Sequence, residues 1–130
     1  MGLQHDFYLL ERSDSMSKID EWTKKAILPD TLVLYMLETF DWCSFNWTNT
    51  KKKPGLNYYG DTILVGEELS KFANILKAWR EVFCLAPEKF EMTKEREVFR
   101  KVQVVYQLGT LIELCEEAYE KNMKLIHWGV

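Results

Sequence analysis

The chain has 130 residues and a mass of 15.5 kDa, enough for a single domain, 1–130, that buries roughly two thirds of its unfolded surface. Its 47% hydrophobic and 28% charged content excludes a disordered chain, and a net charge of −3 with pI near 5.5 excludes the basic field needed to neutralise a nucleic-acid backbone. The longest unbroken apolar run, Leu32 to Leu37, is far too short to span a bilayer.

The amino terminus carries acids on both sides of a short apolar patch and has no basic start, so no secretory signal is expected. Asp6 stands where an N-myristoylation motif wants Ser or Thr. Phe7 to Leu10 fits a strand or the start of a helix, since periodicity does not separate the two at that length. Ser17 followed by Asp20 resembles a capping box, and Ile19, Trp22 and Ala26 recur at helical spacing, which predicts a helix over Lys18 to Leu28. Pro29-Asp30-Thr31 breaks it. Leu32 to Phe40 is apolar almost all round and reads as a buried helix, with a strand as the alternative.

A span rich in rings follows, from Phe40 to Tyr59, interrupted by Lys51, Lys52, Lys53 and the turn dipeptide Pro54-Gly55. Large rings carry much of the energy of cores and of interfaces, so this span either fills the interior or meets a partner. Phe45 to Thr48 and Leu56 to Tyr59 can pair as an irregular hairpin, and Thr62 to Val65 has the β-branched content of a short strand. Glu67 and Glu68 then open a helix running to Leu85, where Ala86-Pro87 stops it. A cap at Thr93 would start the last helix, Lys94 to about Asn122, with a seam of Val98, Val102, Val105, Gly109, Ile112, Cys115 and Tyr119. Trp79, Leu76 and Phe83 are expected to pack on that seam. The terminal Leu125 to Val130 reads as a docked apolar tail. Together these elements predict a mainly α domain of about four helices with a small β-hairpin or two-stranded element in the middle of the chain.

The chemistry-bearing residues are few. His5 and His127 have no metal-ligand spacing, and a structural role for His127, between Ile126 and Trp128, is the plain reading. Cys43, Cys84 and Cys115 are odd in number and widely spaced, which fits buried thiols in a reduced cytoplasm. The sequon Asn46-Trp47-Thr48 is then a chance match. No nucleophile elbow, phosphate loop or dinucleotide fingerprint occurs, so neither an enzyme nor a cofactor or metal is expected.

The segments Leu56-Asn-Tyr-Tyr-Gly-Asp-Thr-Ile-Leu64, Lys77-Ala-Trp79 through Ala86-Pro87 to Phe90, and Asn122 to Val130 resemble a pattern in small bacterial immunity-type proteins that neutralise polymorphic toxins. Trp128 stands where that pattern carries smaller residues, and the N-terminal half has no counterpart in it. The resemblance implies a cytoplasmic, non-catalytic domain whose partner is a cognate toxin; a small cytosolic enzyme or scaffold subunit is the alternative, and a homo-oligomer stays open. Rings outside any helical seam, beside carboxylates able to face a basic site, make Asp41, Trp42, Trp47, Tyr58, Tyr59, Asp61 and Glu67 the expected partner-binding residues. Glu113, Glu116, Glu117 and Glu120 form a second candidate face, since separations of three, four and seven return to one side of a helix.

Overall fold

The computed structural model describes residues 3–47, 52–92 and 96–130. Among them are eight strands, three α-helices and one turn of 3₁₀ helix. In chain order they are β1 (Gln4–Leu10), the 3₁₀ turn (Met16–Lys18), β2 (Lys25–Pro29), α1 (Asp30–Phe40), β3 (Ser44–Trp47), β4 (Lys52–Pro54) and β5 (Asp61–Leu64). These are followed by α2 (Glu67–Cys84), β6 (Lys89–Met92), β7 (Glu97–Arg100), α3 (Lys101–Glu120) and β8 (Lys124–Trp128). The architecture is α+β, which corrects the expectation of a mainly α, helical domain with about four helices.

Six strands form one antiparallel sheet in the order β2-β1-β8-β5-β3-β4, while β6 and β7 make a separate hairpin. The first and last strands thus lie side by side in the middle of the sheet. The register aligns Phe7 with Ala26 and His127, and His127 with Thr62, so these side chains share one face. That face meets the helices: α3 packs on β2, β8 and β1, α1 packs on β2 and β1, and α2 lies against α3. Phe7, Leu28, Phe45, Leu64, Phe72, Leu108 and Leu111 are all buried in the resulting core. The opposite face carries Tyr8, Ile126 and Ile63 in register, with Tyr8 and Trp128 in ring contact at 4.8 Å.

Each departure from the sequence reading has a local cause. Phe7 to Leu10 is buried on both faces, so it shows the unbroken apolar run of a central strand instead of alternation. The helix expected over Lys18 to Leu28 does not form. Asp20 instead closes a turn, its carboxylate accepting the Trp22 N–H at 2.8 Å, and Lys25–Pro29 pairs with β1. Leu32 to Phe40 is the buried helix, and α2 begins at Glu67 as expected. The hairpin partner of β3 is β4; Leu56 to Tyr59 runs as loop and turn. Glu97–Arg100, expected to be helical, pairs with β6, which delays α3 to Lys101. Thr48, Lys51, Thr93 and Lys94, which enter the expected hairpin, basic run and cap, lie outside the described residues. The tail docks as β8.

The expected seam of α3 is displaced. Its buried residues are Val104, Leu108, Leu111, Ile112, Leu114, Cys115 and Ala118, whereas Val98, Val102 and Tyr119 are exposed. Leu76, Phe83 and Ile112 belong to the core as expected, with Trp79 and Val105 packed at its margin.

Candidate functional site

At one end of the sheet the strands bring four distant polar side chains into a chain of hydrogen bonds. His5 Nδ1 lies 2.8 Å from His127 Nε2, His5 Nε2 lies 2.9 Å from Asp30 Oδ1, and Thr62 Oγ1 lies 3.2 Å from His127 Nδ1. His5, Thr62 and His127 are wholly buried. Asp30 opens α1, and its carboxylate also accepts the Tyr58 hydroxyl at 2.5 Å. The Asn57 N–H donates to Thr62 Oγ1 at 2.8 Å, so the threonine proton is free to point at His127.

With both imidazoles neutral and the Asp30 carboxylate accepting, His5 donates from Nε2 and accepts at Nδ1. His127 then donates from Nε2 and accepts from Thr62 at Nδ1. In that arrangement protons run one way, from Thr62 through both imidazoles to Asp30, and every buried side-chain nitrogen and oxygen among the described residues is paired. Burial, and then the neighbouring His5, push the His127 imidazole down to about 3. Burial first, and then the hydrogen bond to Asp30, raise the Tyr58 phenol and keep it a donor. The end of β8 closes the site. Gly129 N–H bonds Gly60 O at 2.8 Å and Val130 N–H bonds Tyr58 O at 2.9 Å, and a Cβ on Gly129 would overlap the Tyr58 carbonyl oxygen.

The expected partner-binding residues divide. Tyr58 belongs to this buried network, Trp47 donates from Nε1 to Gly55 O at 2.9 Å with Lys53 over its ring, and Asp61 lies in β5 opposite Trp128, itself engaged. Asp41, Trp42, Tyr59 and Glu67 are exposed. Asp41 and Trp42 form the turn after α1, which is held against α2 by Ser44 N–H donating to Glu68. Tyr59 stands edge-on to Tyr58, and Glu67 accepts the Tyr119 hydroxyl at 2.8 Å. On α3, Glu116 pairs with Lys77 at 2.8 Å, and Glu117 with Lys24 at 3.0 Å and Lys121 at 3.1 Å. Hydrogen bonds from Lys24 and then Lys121 hold the Glu117 carboxyl below its ordinary range. Among the described residues Glu113 and Glu120 make no ion pair, so half of the second candidate face is neutralised. Among the described residues no group of His, Cys, Asp and Glu has the geometry to hold a metal ion. Cys43 and Cys115 are buried, with Cys43 pushed up to about 11 by burial and Glu68, but Cys84 is exposed, contrary to expectation.

Sequence reasoning missed a groove of about 350 Å³ where α1 and the end of α2 meet β6. Tyr35, Val82, Leu85, Pro87 and Phe90 line it. Beneath it runs a ladder of rings, Trp79 to Tyr35 at 5.6 Å, Tyr35 to Phe83 at 6.0 Å and Phe83 to Phe90 at 5.9 Å. The signal present was Val82, which with Ile75 widens the apolar stripe of α2, but a band of that breadth reads as a helix packed on two sides. From Tyr35 the outer side of α1 leads through Glu38 to Trp42, three and seven residues on, and helical backbone persists at Asp41 (φ −66°, ψ −10°). The turn itself is tied to the start of α2 through Ser44 and Glu68, whereas the groove lies at that helix's end.

Comparison with family models, curated proteins and solved structures returns no match to this chain. No helix among the described residues is long and apolar enough to cross a membrane.

Proposed function

We propose that this protein is a non-catalytic binding domain of the immunity type, which docks on a cognate bacterial toxin domain in the cytoplasm and blocks it. The observation that carries this reading is the apolar groove of Tyr35, Val82 and Leu85 at the end of α2, together with the exposed rings of Trp42 and Tyr59. Trp42 is 64%, Tyr35 51%, Val82 51% and Leu85 87% exposed, and Tyr59 in the central span is 82% exposed. Monomers seldom leave a contiguous apolar surface of large side chains uncovered without a partner for it. The resemblance of the C-terminal segments to immunity-type proteins points the same way. A binding role is further supported by the closed histidine network, whose imidazole nitrogens are all engaged inside the protein and leave none for a substrate.

The interface is accordingly drawn around Tyr35, Val82 and Leu85 at the groove, with Asp41 and Trp42 in the turn after α1 as its outer part; Glu67, at the opposite end of α2 from Leu85, lies away from the groove. Co-expression with the product of the adjacent gene, followed by measurement of affinity, tests it. Trp42→Ala and Tyr35→Ala should each weaken the complex by about 30-fold or more, as aromatic anchors do, with little change in the urea midpoint. Unchanged affinity in both variants, or no complex with any neighbouring product, would sink the proposal.

A further inference from the structure

The groove at the carboxyl end of α2 has a charge as well as a shape. Glu91 lines it, Glu38 lies one turn along α1 from Tyr35, and Glu81 and Glu88 flank Val82 and Pro87 in sequence. All four are exposed, and none has an ion pair or side-chain hydrogen bond among the described residues. Among the described residues, three cations near the groove have other contacts. Arg80 reaches toward Gly109 on α3, Lys89 lines a different cleft with Glu97 and Arg100, and Lys101 bonds the Cys84 carbonyl at 3.5 Å. The carbonyl end of α2 adds little to this charge, because Lys101 already sits on its last carbonyl.

We infer that this groove receives a basic amphipathic segment of the partner protein, seating apolar side chains on Val82, Leu85 and Phe90 and placing Lys or Arg against Glu38, Glu81, Glu88 and Glu91. The inference deepens the protein-binding reading above and rests on it. Shape supplies the seat: the floor is a stack of rings already packed in the core, so docking orders few additional side chains. Charge supplies the choice of occupant. A second copy of this chain would bring the same acidic rim against itself, and like charges opposed across an interface disfavour association. An acidic partner meets the same penalty.

Fluorescence anisotropy with two labelled synthetic peptides tests this, one repeating Leu and Lys at helical spacing and the other carrying Glu in place of each Lys. The Lys peptide should bind, at least about tenfold more tightly than the Glu peptide, with affinity that falls as salt is raised. Leu85→Ser should abolish that binding, and because this side chain is 87% exposed the variant keeps its fold. Changing Glu38, Glu81, Glu88 and Glu91 to Gln together should remove the salt dependence. Equal binding of both peptides, or binding that survives Leu85→Ser, overturns the inference. A dimer in sedimentation velocity that Leu85→Ser dissociates overturns it in favour of a second copy. If neither peptide binds while the adjacent toxin binds through Trp42, the basic-segment inference fails and the protein-binding reading stands. If the Lys peptide binds in the groove and no neighbouring product does, the groove's chemistry stands and the immunity reading fails.

Discussion

Two imidazoles buried side by side keep their place because each has a donor and an acceptor waiting. Thr62→Val removes the hydroxyl that serves both His127 Nδ1 and the Asn57 N–H. It should therefore cost about 1–3 kcal/mol, the usual penalty for stranding buried polar groups, read as a lower urea midpoint with the same slope; an unchanged midpoint would show that water replaces the hydroxyl. The pH dependence follows from His127. Its folded value, about 3, lies below the unfolded value of 6.5, so between them the unfolded chain binds the extra proton. Stability is then full above pH 6.5 and falls as pH drops toward 3, by up to about 1.4 kcal/mol per unit. Urea melts between pH 7.5 and 4.5 should show this slope, and His127→Leu should flatten it. The structural role of His127 was legible beforehand; its partners were not. His5 and His127 stand at opposite ends of the sequence, and no spacing rule links residues that meet only because β1 and β8 pair.

Which stripe of a helix is buried depends on where its neighbours lie as much as on its own pattern. On α3 two apolar rows were available, the expected one through Val102, Val105, Ile112 and Cys115, of which only Ile112 and Cys115 are buried, and one through Val104, Leu108, Leu111 and Ala118. The second faces the sheet and α2. Pairing of Glu97–Arg100 with β6 sets the start of the helix and leaves Val102, at the head of the first row, looking outward. Leu108→Ala should thus cost about 2–5 kcal/mol, against no more than about 0.5 for Val102→Ala; similar losses in chemical denaturation would mean that α3 is rotated. The helical spacing of Ile19, Trp22 and Ala26 misled for a related reason. Ala26 and Leu28 also alternate with Ile27 and Lys25 as a strand requires, and the free edge of β1 made that choice the better one.

At the scale of the whole molecule, the fold is closed by its two ends. β8 lies between β1 and β5, and without it the sheet splits into β2-β1 and β5-β3-β4. Deleting residues 124–130 should abolish the cooperative transition in thermal or urea melts; a truncated chain that still melts cooperatively would mean that the helices alone hold the core. Gly129→Ala is a gentler probe. Its Cβ would press on the Tyr58 carbonyl oxygen, a backbone atom with little room to move, so a loss of about 1–3 kcal/mol is expected, as in other overpacked sites.

The sequence by itself determined what depends on near neighbours and on bulk balance: the helix from Glu67, the strand near Thr62, and an acidic balance with no long basic stretch; it favoured a helix over a strand at Leu32 to Phe40, whereas Pro54, expected in the hairpin turn, ends strand β4. Repetition at three and four and net charge are local or additive, so they survive without coordinates. Only the tertiary structure decided that β1, β2 and β8 are strands, that Tyr58 turns inward to Asp30 while Tyr59 faces out, and that Tyr35, Val82 and Leu85 share one groove. Strand pairing joins residues far apart in the chain, and exposure depends on what packs from elsewhere, so short-range pattern carries neither.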